Sequence, residues 1–179
     1  YREKIKTDLH RYDTDTAFPI KPQRILHDVR QVLDPHDILI SDVGAHKMWV
    51  ARQYMSYHSK TCFIHNGFCS MGGAMPGAVA AKQLYPDKRV VALCGDGGFM
   101  MSIQAVVTAV SLNLPIVILL WSDNHYGLIK WKQETTFGKS SNVELHNPDF
   151  VEVGKAFGCH VENIESVDGF IPALENAFS

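Results

Sequence analysis

The sequence predicts an α/β fold: a parallel β-sheet flanked by helices on both faces. Three observations predict it. Short continuous runs of Val, Ile and Leu recur along the chain, helical stretches alternate with them, and a Gly-rich turn follows directly on one of the runs. Continuous rather than alternating apolar runs belong to strands buried on both faces, and parallel strands need helical crossovers between them.

Residues 1–22 are polar and aperiodic, with Asp13-Thr14-Asp15-Thr16 and then Pro19 and Pro22. They read as a linker or the end of a preceding domain, with the domain proper over 23–179. From Gln23, Ile25, Leu26, Val29, Val32 and Leu33 recur at helical spacing, and Asp34-Pro35 ends that helix. Asp37 to Ser41 is a short apolar strand, and Ala45 to Tyr54 a helix. Thr61 to Ile64 is expected as a strand and Ala-rich Pro76 to Leu84 as a helix. Arg89 to Cys94 is a β-rich run, and Phe99 to Leu112 a helix that is apolar nearly all round, as expected if sheet and partner cover it. Pro115 to Trp121 is the clearest strand. A helix over Pro148 to Phe157, a strand near His160 to Ile164 and a helix over Val167 to Phe178 complete the expectation.

Composition narrows the function. With 179 residues, 46% apolar and 20% charged, the chain is an ordinary globular domain or a piece of a larger protein. Seventeen Lys and Arg against nineteen Asp and Glu leave a net charge of −2. No broad cationic surface for nucleic acid or anionic lipid follows from that balance. The apolar run Pro115 to Trp121 is far short of the ~20 residues of a membrane-spanning helix. Cys62, Cys69, Cys94 and Cys159 form no C-x-x-C pair, which suggests a reducing, cytoplasmic setting rather than a zinc cage or a disulfide scaffold. The chain opens at Tyr1 with no charged-then-apolar leader, so a fragment without a signal peptide is expected.

Chemistry concentrates at two strand ends. Cys94-Gly95-Asp96-Gly97-Gly98-Phe99 leaves a buried strand and opens a helix. Glycines there let main-chain N–H groups approach a phosphate, and the helix start favours negative charge. Met100 stands where the dinucleotide pattern G-x-G-x-x-G needs glycine, and no G-x-x-x-x-G-K-[ST] exists. The bland alternative is a plain strand-to-helix turn. Asp123, in Ser122-Asp123-Asn124-His125-Tyr126-Gly127, ends the next strand 27 residues after Asp96. One crossover of that length returns both ends to the same sheet edge, ~4.8 Å apart, where two carboxylates can share a cation. Hard oxygen ligands beside a phosphate cradle favour Mg²⁺. Either aspartate alone also suits a helix cap or turn.

Gly95-Asp96-Gly97, a helix, a strand and Asp123-Asn124 together resemble the cofactor motif of thiamine-diphosphate enzymes, G-D-G followed some two dozen residues on by N-N or D-N. The resemblance implies Asp96 and Asp123 as Mg²⁺ side-chain ligands and the carbonyl of His125 as a third. Ser41 to Trp49 is similar to the acetolactate synthase segment that approaches the diphosphate, with Gly44, Ala45 and His46 at the contacting positions. Asn66 to Pro76 is similar to the loop under the bent cofactor. There the resemblance makes Met71 the prop and the carbonyl of Cys69 the acceptor of the 4′-amino group, with Ser70 beside them. By residue type alone, His46 is as well a structural histidine and Met71 a core filler. Gly95, Gly97, Gly98, Asn124, Tyr126 and Gly127 complete the implied cofactor contacts.

The resemblance spans Pro22 to Ser179 and implies the thiamine-diphosphate-binding fold, as the diphosphate- and Mg-binding part of an acetolactate synthase. Its implied substrate is pyruvate, condensed with a second 2-keto acid, and its implied assembly a homodimer or homotetramer sharing the site between subunits. The glutamate that protonates the cofactor ring, the pyrimidine-binding and central domains, and any FAD site lie outside these residues. Trp131 and Lys132 fall where the family tunes its second substrate; Trp131 also suits plain packing. Alternatives are another thiamine-diphosphate-dependent decarboxylase or carboligase, or a non-catalytic cofactor-binding module. A Mg²⁺-dependent phosphatase is disfavoured, because no third carboxylate accompanies the pair.

Overall fold

The computed structural model describes Thr7 and residues 9–179. Four parallel strands form one sheet: β1 (Ile38–Ser41), β2 (Cys62–Ile64), β3 (Val90–Gly95) and β4 (Val117–Trp121), in the spatial order β2-β1-β3-β4. Register pairs Ile40 with Ala92 and Cys94 with Leu120, so the carboxyl ends of β1, β3 and β4 share one edge.

Alternate strand residues feed two separate cores. Leu39, Val91, Leu93 and Val117 face one side, where they meet α1 (Pro22–Val32), α2 (His46–Gln53) and α8 (Val167–Asn176). Ile38, Ile40, Val90, Ala92 and Cys94 face the other, against α3 (Ala74–Leu84), α4 (Asp96–Met101) and α5 (Ala105–Ser111). Phe150 of α7 (Phe150–Ala156) closes that second core edge-on to Phe99. The predicted three-layer α/β architecture is what forms. The remaining helix, α6 (Gly127–Phe137), has no buried residue and runs from the end of the β4 loop.

Local chemistry explains the boundaries. Pro22 opens α1, where its fixed φ suits a first turn and its missing N–H costs nothing. Asp149 caps α7 by accepting from the Val151 and Glu152 N–H groups, and Ser166 caps α8 through the Gly169 N–H. The described part of the polar arm is tied down: Asp15 pairs with Lys21 and its carbonyl accepts from Arg24 at 3.0 Å, while Asp13 meets His27 at 3.2 Å.

Three expectations change. Phe99 to Leu112 is two helices rather than one, because tight turns at Ser102 to Gln104 interrupt the ladder: Ser102 N–H donates to Phe99 and Ala105 N–H to Ser102. Within this single chain, Met100, Met101, Val107, Val110 and Leu112 of that stretch are exposed. His160 to Ile164 is not a strand; Ile164 packs on the first core without joining a ladder. Trp131, read as suiting packing, is 57% exposed on α6 and packs little within the described residues. Among the described residues, no helix is long and apolar enough to cross a membrane.

Candidate functional site

The shared strand edge opens into a cavity of about 460 Å³, a size suited to a small organic cofactor. The β1 end contributes Val43, Gly44, Ala45 and His46, and the β3 end Gly95, Asp96, Gly97 and Gly98. The β4 end adds Trp121, Ser122, Asp123, His125, Tyr126 and Gly127. Cys69 and Met71 reach in from the loop before α3. Ser70 and Asn124 do not line the cavity, although both neighbour residues that do.

Asp96 joins the two motif halves. It is buried, and its Oδ1 accepts the Gly97 N–H at 2.8 Å. Its Oδ2 accepts from the β4 end: Asn124 N–H at 2.8 Å, Asp123 N–H at 3.2 Å and Ser122 Oγ at 3.3 Å. A fourth donor, Asn147 Nδ2, approaches the same oxygen at 2.7 Å. Asp123 is exposed and folds its Oδ1 back on the His125 N–H at 3.1 Å, which shapes the turn carrying the His125 carbonyl. Asn124 adopts φ +60°, a left-handed conformation asparagine tolerates better than most residues.

Two glycines are required by close approach. A Cβ on Gly97 would stand 2.6 Å from Tyr126 Cε1, and one on Gly98 would stand 2.3 Å from Asp42 Oδ2. Bare backbone therefore lies on the cavity wall at the start of α4, with the Gly97 N–H already donated to Asp96 Oδ1.

His46 is the clearest sign of a missing ligand group. Its ring is buried, edge-on to Trp121 with centroids 6.2 Å apart, and its Nε2 has no hydrogen-bond partner. Burial holds its pKa below the usual histidine value, against the opposing pull of Asp42 and Asp123. A buried nitrogen without a partner costs free energy unless something else satisfies it. The cavity it lines also holds the Asp96–Asp123 junction.

Sequence reasoning missed four participants. Asp42, fully buried, accepts from the Val43 N–H at 2.8 Å, the Gly72 N–H at 2.9 Å and the Gly73 N–H at 3.2 Å. It thereby fastens the turn that follows Met71. Trp49 and Trp121, 6.5 Å apart between ring centroids, form an aromatic wall. Asn147 comes from the loop after α6, in His146-Asn147-Pro148, just before the helix expected from Pro148. Leu128 and Ile129, rather than Trp131 or Lys132, supply the α6 side of the cavity.

No three His, Cys, Asp or Glu side chains gather as a metal cage among the described residues. The donor set foreseen from the sequence, two carboxylates and one main-chain carbonyl, is of a different kind and suits a hard cation that keeps phosphate oxygens as its other ligands. The orphaned His46 nitrogen, the bare Gly97–Gly98 backbone and the paired strand-end aspartates together fit a diphosphate with its metal.

A parallel α/β sheet with such an edge defines a domain that binds a phosphorylated cofactor. The chain belongs to the thiamine pyrophosphate enzyme family, as its C-terminal TPP-binding domain; the family profile matches residues 42–179. Among curated proteins it is similar to an acetolactate synthase of Bacillus subtilis (31% identical, covering 99% of this chain and 32% of that protein). It is also similar to the catabolic acetolactate synthase of Raoultella terrigena, at 32% identity over 89% of this chain and 29% of that protein. The chain thus spans about a third of the length of these relatives. Among solved structures it superposes on a Rhodococcus jostii thiamine-diphosphate-dependent 4-hydroxybenzoylformate decarboxylase, with TM-score 0.81 and 21% identity over 88% of this chain and 30% of that one. That likeness concerns the fold.

Proposed function

We propose that this chain is the diphosphate- and metal-binding part of an acetolactate synthase acting on pyruvate and a second 2-keto acid. The observation that carries the reading is the junction at Asp96, where Gly95-Asp96-Gly97 meets Asp123-Asn124 on one cavity. Similarity to acetolactate synthases at 31–32% identity supports the choice of reaction.

In this reading Asp96, Asp123 and the His125 carbonyl hold Mg²⁺. The main chain of Gly97 and Gly98, with Gly44, Ala45 and the His46 Nε2, meets the diphosphate. Thiamine diphosphate, when bound, supplies the nucleophilic carbon and the electron sink that keto-acid decarboxylation needs. The chain's own share is to neutralise the diphosphate, orient the ring system and keep water out. Met71 and the Cys69 carbonyl sit on the loop that would support the bent cofactor. Met71 and Cys69 line the cavity, and Cys69 takes φ +51°. Trp49, Trp121, Leu128 and Ile129 make the remaining wall apolar. None of these groups is placed as a general acid for the cofactor ring, so the 179 residues alone are expected to form no acetolactate. The reading includes a homodimer or homotetramer in which another subunit's surface closes the cavity, covering Met101 and the fully exposed Phe68.

The test is cofactor retention by the full-length protein. Asp96→Ala is expected to abolish Mg²⁺-dependent thiamine diphosphate binding, measured by calorimetry, whereas Asp123→Asn keeps an oxygen ligand and retains part of it. Equal and complete loss in both, with circular dichroism unchanged, means the second ligand is misassigned. Full binding by Asp96→Ala overturns the reading.

A further inference from the structure

Beyond the residues that would touch the cofactor, one side chain holds both halves of the site while belonging to neither. Asn147 Nδ2 donates to Asp96 Oδ2 at 2.7 Å and to Asn124 Oδ1 at 2.9 Å, with Ser122 Oγ at 3.4 Å. The first acceptor lies at the end of β3 and the second in the loop after β4. A carboxylate at neutral pH only accepts, so the amide must present its NH₂ side there, and its two hydrogens match the two nearest acceptors.

The surrounding backbone carries Asn147 to that place. After α6, Gly138 takes φ +72° and turns the chain back. Residues 143–145 then run antiparallel to 124–126: the Tyr126 N–H donates to Val143 at 2.8 Å and the Leu145 N–H to Asn124 at 2.8 Å, around a His125–Glu144 bridge. Val143 is buried, and Leu145 Cδ1 stands 3.2 Å from the Cβ position of Gly97. The returning segment is thus anchored on both sides of the metal loop before Asn147 makes its bonds.

We propose that Asn147 is a positioning residue for the candidate metal site: it fixes Asp96 against the 122–124 loop and so sets the Asp96–Asp123 arrangement in advance of any ligand. The inference deepens the thiamine diphosphate reading and rests on it for the identity of the ligand. The physical reason is division of labour on one carboxylate. Asp96 Oδ2 is taken up by four protein donors, whereas Oδ1 has one, the Gly97 N–H. Locking Oδ2 orients Oδ1 and holds Asn124 in its left-handed turn, and with it the Asp123 main chain. A preset site avoids the ordering cost that a slack loop would impose at binding.

The experiment uses the full chain, first without cofactor, by hydrogen–deuterium exchange on peptides covering 121–128 and 90–95. Asn147→Ala removes the donor; Asn147→Asp keeps the shape and puts an acceptor opposite a carboxylate. Exchange in 121–128 is expected to speed about tenfold in Asn147→Ala and more in Asn147→Asp, with 90–95 unchanged, since hydrogen bonds to charged groups are worth about that factor or more. With thiamine diphosphate present, Trp49 and Trp121 emission then follows a Mg²⁺ titration. Half-saturation is expected to need about tenfold more Mg²⁺ in Asn147→Ala, while the signal at excess metal is preserved. Unchanged exchange in 121–128, or Asn147→Asp behaving like the unmodified chain, overturns the positioning role. Faster exchange spread equally over 90–95 also overturns it, by showing a general loss of structure. Failure of the unmodified protein to bind thiamine diphosphate overturns the cofactor reading instead, and the ligand-free exchange still decides the role of Asn147.

Discussion

Asp42 after β1 and Asp96 after β3 are chemically the same group at equivalent ends of neighbouring strands, and both are buried among main-chain N–H donors. Asp42 stays outside the cavity, and its donors come from Val43, Gly72 and Gly73. Asp96 lines the cavity, and its β4 donors are the exposed Ser122, Asp123 and Asn124. A carboxylate saturated by buried donors is a rivet. A carboxylate whose donors border solvent can take a further partner. Burial of the acid itself does not separate the two roles; the location of its donors does.

The largest effect expected from this contrast is on stability. Asp42→Ala strands three N–H groups, Gly72 and Val43 among the buried residues, and each stranded donor costs about 1–3 kcal/mol. A loss of about 3 kcal/mol, read as a lower urea midpoint at unchanged slope, is the expected outcome. Asp96→Ala should lose clearly less in the absence of ligand, because water reaches Ser122, Asp123 and Asn124. Equal losses would break the comparison. Gly98→Ala sharpens it from the other side: its Cβ would meet Asp42 Oδ2 at 2.3 Å, so it should weaken the fold while Asp96 keeps its own partners.

Much of this architecture is legible in the sequence, and the reason is physical. β3 and β4 are continuous apolar runs: β3 is buried on both faces, and the edge strand β4 packs partly on both cores through Leu119 and Trp121 on one side and Ile118 and Leu120 on the other. The two motif halves are legible because chemistry demands particular residue types next to strand ends. The break at Ser102 is not, since apolar residues on both sides mask it. Ile164 has strand composition, yet a strand exists only if a neighbour offers a ladder. Asp42 and Asn147 act on partners 30 and 51 positions away, and no local pattern encodes a bond of that span.

A second, smaller effect concerns His46, which is in electrostatic reach of Asp42 and Asp123. Burial is the leading influence and holds its folded pKa below the ordinary 6.5. The unfolded chain therefore takes up this proton first as pH falls, and stability drops through the window from about 6.5 down to the lowered folded value. Above 6.5 both states are neutral and the full stability is present. Melting temperatures at pH 7.5 and 5.5 should differ less in His46→Gln than in the unmodified protein. The same slope in both would assign the pH dependence elsewhere.

The smallest effect is expected far from either aspartate. Trp131, 57% exposed, buries little, so Trp131→Ala should change the unfolding free energy by less than about 0.5 kcal/mol. A larger loss for Trp131→Ala would show that α6 stiffens the β4 loop.

Asp96 draws its donors from 1, 26, 27, 28 and 51 residues along the chain, the most distant being Asn147. During synthesis the last strand of the sheet is complete at Trp121, whereas Asn147 is added 26 residues later. An emerging chain therefore owns its whole sheet, and can begin to bury it, before the latch on its metal loop has been made. The latch trails the sheet in time but precedes Phe150, Phe170 and Leu174, which complete the two cores, and any truncation between Trp121 and Asn147 keeps every strand while leaving the strand-end acid without its last donor.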